Sequence, residues 1–195
     1  MGKNLEIEFK TMVTERDFSR LKNYFRLEEK DFFVQENYYF DTIDFKLKQK
    51  DSGLRVRLFP GSAELTLKTP EKVGLLETTD ILSLEQAVQI ISNERLLIDG
   101  FVYDKLTSFG VNPASLHMIG CLKTKRAEKK LPQGLLALDE SWYNQQHDFE
   151  LELEVVDSIR GKADFLLLLD QLDLKEKPAQ NKIQRMLASS NFDEQ

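Results

Sequence analysis

The chain has 195 residues, 41% of them hydrophobic, enough for one substantial core, and residues 1–195 read as a single domain. Its 27 Lys+Arg against 33 Asp+Glu leave a formal charge of −6, which argues against a long nucleic acid as partner: any bound anion must be held by locally gathered cations. The longest apolar run, Phe165–Leu169, is too short to span a bilayer, and the single cysteine, Cys121, excludes an intramolecular disulfide. A cytoplasmic protein follows, with Cys121 expected to be a small buried apolar residue. The N-terminal residues lack a signal-peptide pattern, and Glu6 stands where myristoylation at Gly2 would need Ser or Thr.

Leu5-Glu6-Ile7-Glu8-Phe9-Lys10 alternates strictly, which predicts a strand with its charges on one face. Thr14 opens a helix whose Phe18, Leu21 and Phe25 form an apolar stripe. Residues 32–42 are aromatic and β-branched, and residues 54–59 and 63–69 alternate around the turn Pro60-Gly61-Ser62, which predicts three strands including a hairpin. A further strand is expected near residues 75–81. Ser83 and Gln86 form a capping box that starts a second helix. Residues 96–106 suit either helix or loop. After Pro113, residues 116–131 read as a long strand, Pro132-Gln133-Gly134 as a turn and residues 135–142 as the next strand. Phe149 to Val155 alternates perfectly, residues 159–172 form a helix after Ser158, and a last helix beyond Pro178 carries Lys182 and Arg185. Many strands and few helices predict an α+β fold, mainly antiparallel β, best satisfied by a closed barrel that removes exposed edges.

An isolated row such as Glu6, Glu8 and Lys10 is ordinarily a solvated strand face. Here the pattern repeats: Arg55 and Arg57, and Glu150, Glu152 and Glu154, place charges at i and i+2, and Glu64 and Lys68 at i and i+4, each set on one strand face. Inside a closed barrel such faces converge, where carboxylates alone would repel and buried cations would need partners. A divalent cation with a polyanion satisfies both. Oxygen-only donors suit Mg²⁺ or Mn²⁺, whereas His117 and His147 are too few and too scattered for a zinc site. Arginine forks match phosphate geometry, and lysines add point charges. Tyr38, Tyr39, Trp142 and Tyr143 serve packing or base stacking equally well.

These residues resemble the CYTH superfamily, also called triphosphate tunnel metalloenzymes, which includes thiamine triphosphatases, inorganic triphosphatases and class IV adenylate cyclases. Glu6-Ile7-Glu8-Phe9-Lys10 matches the opening ExExK motif, Tyr38-Tyr39-Phe40-Asp41-Thr42 a second-strand motif, Leu54-Arg55-Val56-Arg57 the paired arginines and Thr66-Leu67-Lys68 the strand lysine. Arg126, Asp139 and Glu150-Leu151-Glu152 resemble later tunnel residues, and Lys182 and Arg185 the cationic C-terminal helix that closes on substrate. The resemblance implies an eight-stranded antiparallel tunnel with flanking helices. It implies metal on Glu6, Glu8, Asp139, Glu150 and Glu152, with Glu154 an alternative to Glu150, and phosphates on Lys10, Arg55, Arg57, Lys68, Arg126, Lys182 and Arg185. Glu6, Glu8, Lys10, Arg55 and Arg57 would carry the catalysis. The expected activity is Mg²⁺- or Mn²⁺-dependent hydrolysis of an inorganic, thiamine or nucleoside triphosphate by a monomer or homodimer. Cyclisation of ATP to cyclic AMP and pyrophosphate, or binding of a polyphosphate or nucleotide without turnover, are the alternatives.

Overall fold

The computed structural model describes residues 2–96, 99–177 and 179–190. Its elements are β1 (Gly2–Val13), α1 (Glu15–Phe25), β2 (Phe32–Thr42), β3 (Gly53–Phe59), β4 (Ser62–Pro70), β5 (Leu75–Leu82), α2 (Leu84–Asn93) and α3 (Phe101–Ser108), followed by β6 (Leu116–Leu131), β7 (Gly134–Tyr143), β8 (Gln146–Val155), α4 (Ser158–Gln171) and α5 (Lys182–Ala188). The strands close into an eight-stranded barrel in the order β1-β5-β4-β3-β2-β6-β7-β8. The pairs β1–β8, β2–β3, β3–β4, β4–β5, β6–β7 and β7–β8 are antiparallel. The expected barrel with flanking helices is therefore present. Among the described helices none is long and apolar enough to cross a membrane.

Local signals account for most boundaries. The Thr14 side chain accepts a hydrogen bond from the Asp17 backbone N–H, and Ser83 and Gln86 satisfy one another's backbone donors in a capping box. The ambiguous stretch resolves as α3 beginning at Phe101, where the buried Asp80 carboxylate accepts from the Phe101 and Val102 N–H groups. Residues 97 and 98 of that stretch, and Pro178, lie outside the described residues. β8 starts three residues earlier than the alternation indicated, because a two-residue turn at Asn144 and Gln145 (φ 43° and 63°) joins it to β7. Such turns require positive φ, which Gln rarely signals in sequence.

The chain divides into two compact units, Met1–Leu5 with Gln35–Leu122, and Glu6–Val34 with Lys123–Gln195. In the first, Phe40, Leu54, Val56, Leu65 and Leu67 pack with Ala87 and Ile90 of α2 and Val102 and Leu106 of α3. In the second, Ile7, Leu138, Leu151 and Leu153 pack with Phe18 and Leu21 of α1 and Phe165 and Leu169 of α4. Gly161 permits this seating of α4, since a Cβ there would lie 2.4 Å from a Val155 methyl. Cys121 corrects an expectation: it is exposed, because its neighbour Leu122 takes the inward parity of β6.

Candidate active site

In the unit Glu6–Val34 with Lys123–Gln195, strand register brings acids and bases together. Lys10 of β1 stands opposite Glu152 of β8, and Glu8 opposite Glu154. Arg126 of β6 stands opposite Asp139 of β7, which stands opposite Glu150 of β8. Opposed residues on one face bring their Cβ atoms to about 5 Å, within reach of long side chains. The Arg126 guanidinium grips Asp139 with both arms, Nε to Oδ1 at 2.7 Å and Nη2 to Oδ2 at 2.6 Å, and Nη2 also reaches Glu152 Oε2 at 2.5 Å. Lys10 Nζ donates to Glu8 Oε1 at 2.7 Å and lies 4.0 Å from Glu150 Oε1.

Helix α5 adds two more cations. Asn181 and Gln184 form a capping box at its start, and Asn181 Oδ1 also accepts from Lys10 Nζ at 2.8 Å. Lys182 Nζ then sits among three carboxylates, 2.8 Å from Asp139 Oδ2, 3.1 Å from Glu150 Oε2 and 2.5 Å from Glu152 Oε1. Arg185 donates through Nε to Asp148 Oδ2 at 3.0 Å and through Nη2 to Glu150 Oε2 at 2.6 Å. Taking these charges out of water costs several kcal/mol each, which only close partners offset. The partners win: burial opposes the charge on Lys182, yet Asp139, Glu152 and Glu150 raise its pKa well above the usual lysine value. Burial likewise disfavours the Glu152 carboxylate, but Lys182, Arg126 and Lys10 hold its pKa well below the ordinary range.

Two observations bear on whether this donor set suits a hard divalent cation. The oxygens of three carboxylates already gather around one cation, the Lys182 ammonium. Glu150 Oε1, on a fully buried side chain, has no hydrogen-bond donor. Among the described residues no three Asp, Glu, His or Cys side chains stand ready to hold a metal, since these carboxylates close on the protein's own cations.

In the unit Met1–Leu5 with Gln35–Leu122, a second charged face is built on β3, β4 and β5. Lys68 stands opposite Glu77 and donates to its Oε1 at 2.9 Å, with Arg55 Nη2 3.6 Å from the same oxygen. Arg57 Nε donates to Asn37 Oδ1 at 2.8 Å, and its Nη1 lies 3.5 Å from Glu64. Arg55 Nε is buried without an acceptor. Burial opposes the Glu77 charge, but Lys68 and Arg55 lower its pKa. In the Tyr38–Thr42 motif, the buried Asp41 accepts from the backbone N–H groups of Thr42, Leu47 and Lys48, so that residue staples the following loop.

The structure therefore brings Glu8, Lys10, Arg126, Asp139, Glu150, Glu152, Lys182 and Arg185 together in one unit, and Arg55, Arg57 and Lys68 in the other. Glu6 is partly buried and shares the strand parity of Glu8 and Lys10. Sequence reasoning missed Glu77, Asn37, Asp148, Tyr143 and Asn181 as members of these networks. Asp148 was findable, two residues before Glu150 on the same face. Among the aromatics, Trp142 stacks on His147 and Tyr143 donates to Asp148, while Tyr38 donates to Glu36.

A profile for the CYTH domain matches residues 4–187. A Bacillus subtilis protein named "Putative triphosphatase YjbK" is 40% identical over 185 residues, 95% of each chain. Among solved structures, a "putative adenylate cyclase" from Bacillus halodurans superposes with a TM-score of 0.90 at 38% identity, covering 95% of this chain and 98% of the other. A Hippeastrum protein, HpAC1, described as a "putative adenylyl cyclase" with a dominant triphosphatase activity, superposes with a TM-score of 0.80 at 21% identity, covering 95% and 97%, and shares the fold. The match of the profile to nearly the whole length, together with these two identities near 40%, leads to one conclusion: this chain belongs to the CYTH domain family.

Proposed function

We propose that the protein is a divalent-metal-dependent triphosphatase. The observation that carries the reading is the cluster of Asp139, Glu150 and Glu152 around the Lys182 ammonium, built into a chain 40% identical to a relative named for triphosphatase activity. Glu6, Glu8, Asp139, Glu150 and Glu152 would hold Mg²⁺ or Mn²⁺. Lys10, Arg55, Arg57, Lys68, Arg126, Lys182 and Arg185 would bind the phosphates. When bound, the metal supplies Lewis-acid polarisation of phosphate oxygens and lowers the pKa of water.

The chain's own residues mainly position and neutralise. Phosphoryl transfer gathers charge on the transferred oxygens, and fixed guanidinium forks stabilise that charge without reorganising. The buried, acceptor-free Nε of Arg55 gives such a donor, waiting in a site where Glu77 occupies the other end of the guanidinium. Lys182, paired here with Asp139, Glu150 and Glu152, would supply a further cation for the phosphates. One CYTH profile running through both compact units supports a single domain, and the lone cysteine supports a cytoplasmic location.

Cyclisation of ATP is the second reading, favoured by the name of the Bacillus halodurans relative. A panel of inorganic triphosphate, thiamine triphosphate and ATP against Mg²⁺ and Mn²⁺, with product analysis, separates them. Orthophosphate from any of the three, abolished by chelation, is expected. Cyclic AMP with pyrophosphate would identify a cyclase, and full turnover in a verified metal-free preparation would overturn the metal role.

A further inference from the structure

Two arginines of this site meet their carboxylates in different ways. Arg126 turns its Nε and Nη2 onto the two oxygens of one partner, Asp139, the two-armed geometry in which a guanidinium fork meets a carboxylate, and keeps it although Nη2 is shared with Glu152. The fork of Arg185 is split instead. Its Nε donates to Asp148 Oδ2 at 3.0 Å, its Nη2 to Glu150 Oε2 at 2.6 Å and its Nη1 to the Gln180 carbonyl. On Glu150, Oε2 is engaged by Arg185 and Lys182, while Oε1 is buried with no hydrogen-bond donor, Lys10 Nζ lying 4.0 Å away. Asp148 is held in turn by Tyr143, whose hydroxyl donates to the same Oδ2 at 2.5 Å. Burial and this hydrogen bond push the Tyr143 pKa up to about 12, so the hydroxyl is a donor across the physiological range.

We propose that Asp148, braced by Tyr143, is a positioning residue that diverts the Arg185 fork and so keeps Glu150 Oε1 open as a ligand position. The inference rests on the reading of Glu150 as a metal ligand. Exchanging the Asp148 carboxylate for a neutral amide removes the charge that holds Nε and leaves a weaker acceptor, so the fork can swing onto both Glu150 oxygens, as Arg126 does on Asp139. The ligand position is then covered by the protein's own cation. Residues that orient a ligating carboxylate without touching the metal typically alter its affinity by about 10- to 100-fold.

The test is titration of the full-length, metal-stripped protein with Mn²⁺ alone, followed by calorimetry and electron paramagnetic resonance. Four variants are compared with wild type: Asp148→Asn, Arg185→Met, both together, and Glu150→Gln. Asp148→Asn is expected to weaken Mn²⁺ binding about tenfold or more. Arg185→Met should bind Mn²⁺ no more weakly than wild type, because the fork that could cover Oε1 is gone. In that background Asp148→Asn should change affinity by no more than about twofold, the non-additivity expected of two residues acting through one contact. A simple loss of negative charge, or a merely structural role, would weaken binding equally with and without Arg185, and that result overturns the proposal. If Asp148→Asn does not fold, the double variant against Arg185→Met decides on the same criterion. Loss of binding in Glu150→Gln with none in Asp148→Asn defeats the inference but leaves Glu150 a ligand. Wild-type binding by Glu150→Gln defeats the metal-ligand reading itself and the inference with it.

Discussion

Replacing Lys182 with Met should move stability and metal affinity in opposite directions. The ammonium contacts Asp139, Glu150 and Glu152, two of these side chains being fully buried, so the substitution leaves three acids short of one partner each. Breaking a buried ion pair from one side costs about 3–5 kcal/mol. Arg126 still holds Asp139 and Glu152, and Arg185 still holds Glu150, so the low end applies. About 3 kcal/mol, at about 2–4 °C per kcal/mol for a chain of this size, lowers the melting temperature of the metal-free protein by about 6–12 °C. Mn²⁺ binding should strengthen at the same time. On the proposed ligand set, Mn²⁺ would compete with Lys182 for the same oxygens in the wild type, and each charge-assisted contact is worth about 1.5–3 kcal/mol. If displaced Lys182 fails to regain one such contact elsewhere, the cost is about tenfold in affinity, which the Met variant is spared. Thermal melting of stripped proteins and calorimetric titration with Mn²⁺ measure both quantities. Unchanged melting, or equal Mn²⁺ dissociation constants, would refute the argument.

Arg55→Ala and Arg57→Ala should each lower kcat/KM for the triphosphate by about 10²-fold or more, the scale expected when a pre-oriented transition-state donor is removed, with the fold retained; unchanged kinetics in soluble variants would make this strand face ordinary surface. Glu77, whose pKa is held below its ordinary 4.5 by Lys68 and Arg55 against the opposing effect of burial, contributes stability that is present above pH 4.5 and lost as pH falls through its lower folded value. The stability gap between wild type and Glu77→Gln, followed by urea unfolding, should therefore be constant near neutrality and shrink below pH 4.5.

Much of the barrel was legible because strand signals are local. Period-2 alternation in residues 5–10 and 149–155 follows from the pleat alone, and the capping box at Ser83 and Gln86 spans only three peptide bonds. The same parity sets Arg126 on the face opposite Lys123 and Lys125, and Lys125 pairs with Glu29. Parity also defines its own limit. Glu150, Glu152 and Glu154 are equivalent by alternation, so the sequence leaves open which of them matter. Register separates them: β1 sets Glu154 against Glu8 and Glu152 against Lys10, and β7 sets Glu150 against Asp139, beside Lys182 and Arg185.

Glu77 escaped notice because Leu75-Leu76-Glu77-Thr78-Thr79 does not alternate, and its role exists only through pairing with Lys68 on the neighbouring strand. Cys121 shows the converse failure, where the general tendency of cysteine to be buried gave way to the parity of β6 around Leu122. The split fork of Arg185 lies furthest from sequence. It joins α5 to Asp148 and Glu150, residues 37 and 35 positions away. Local chain geometry therefore determined which residue types line each strand face, since a side chain's direction depends on its own backbone. Only tertiary structure decided which acid meets which cation, since those distances depend on strand register and helix docking that no local pattern encodes.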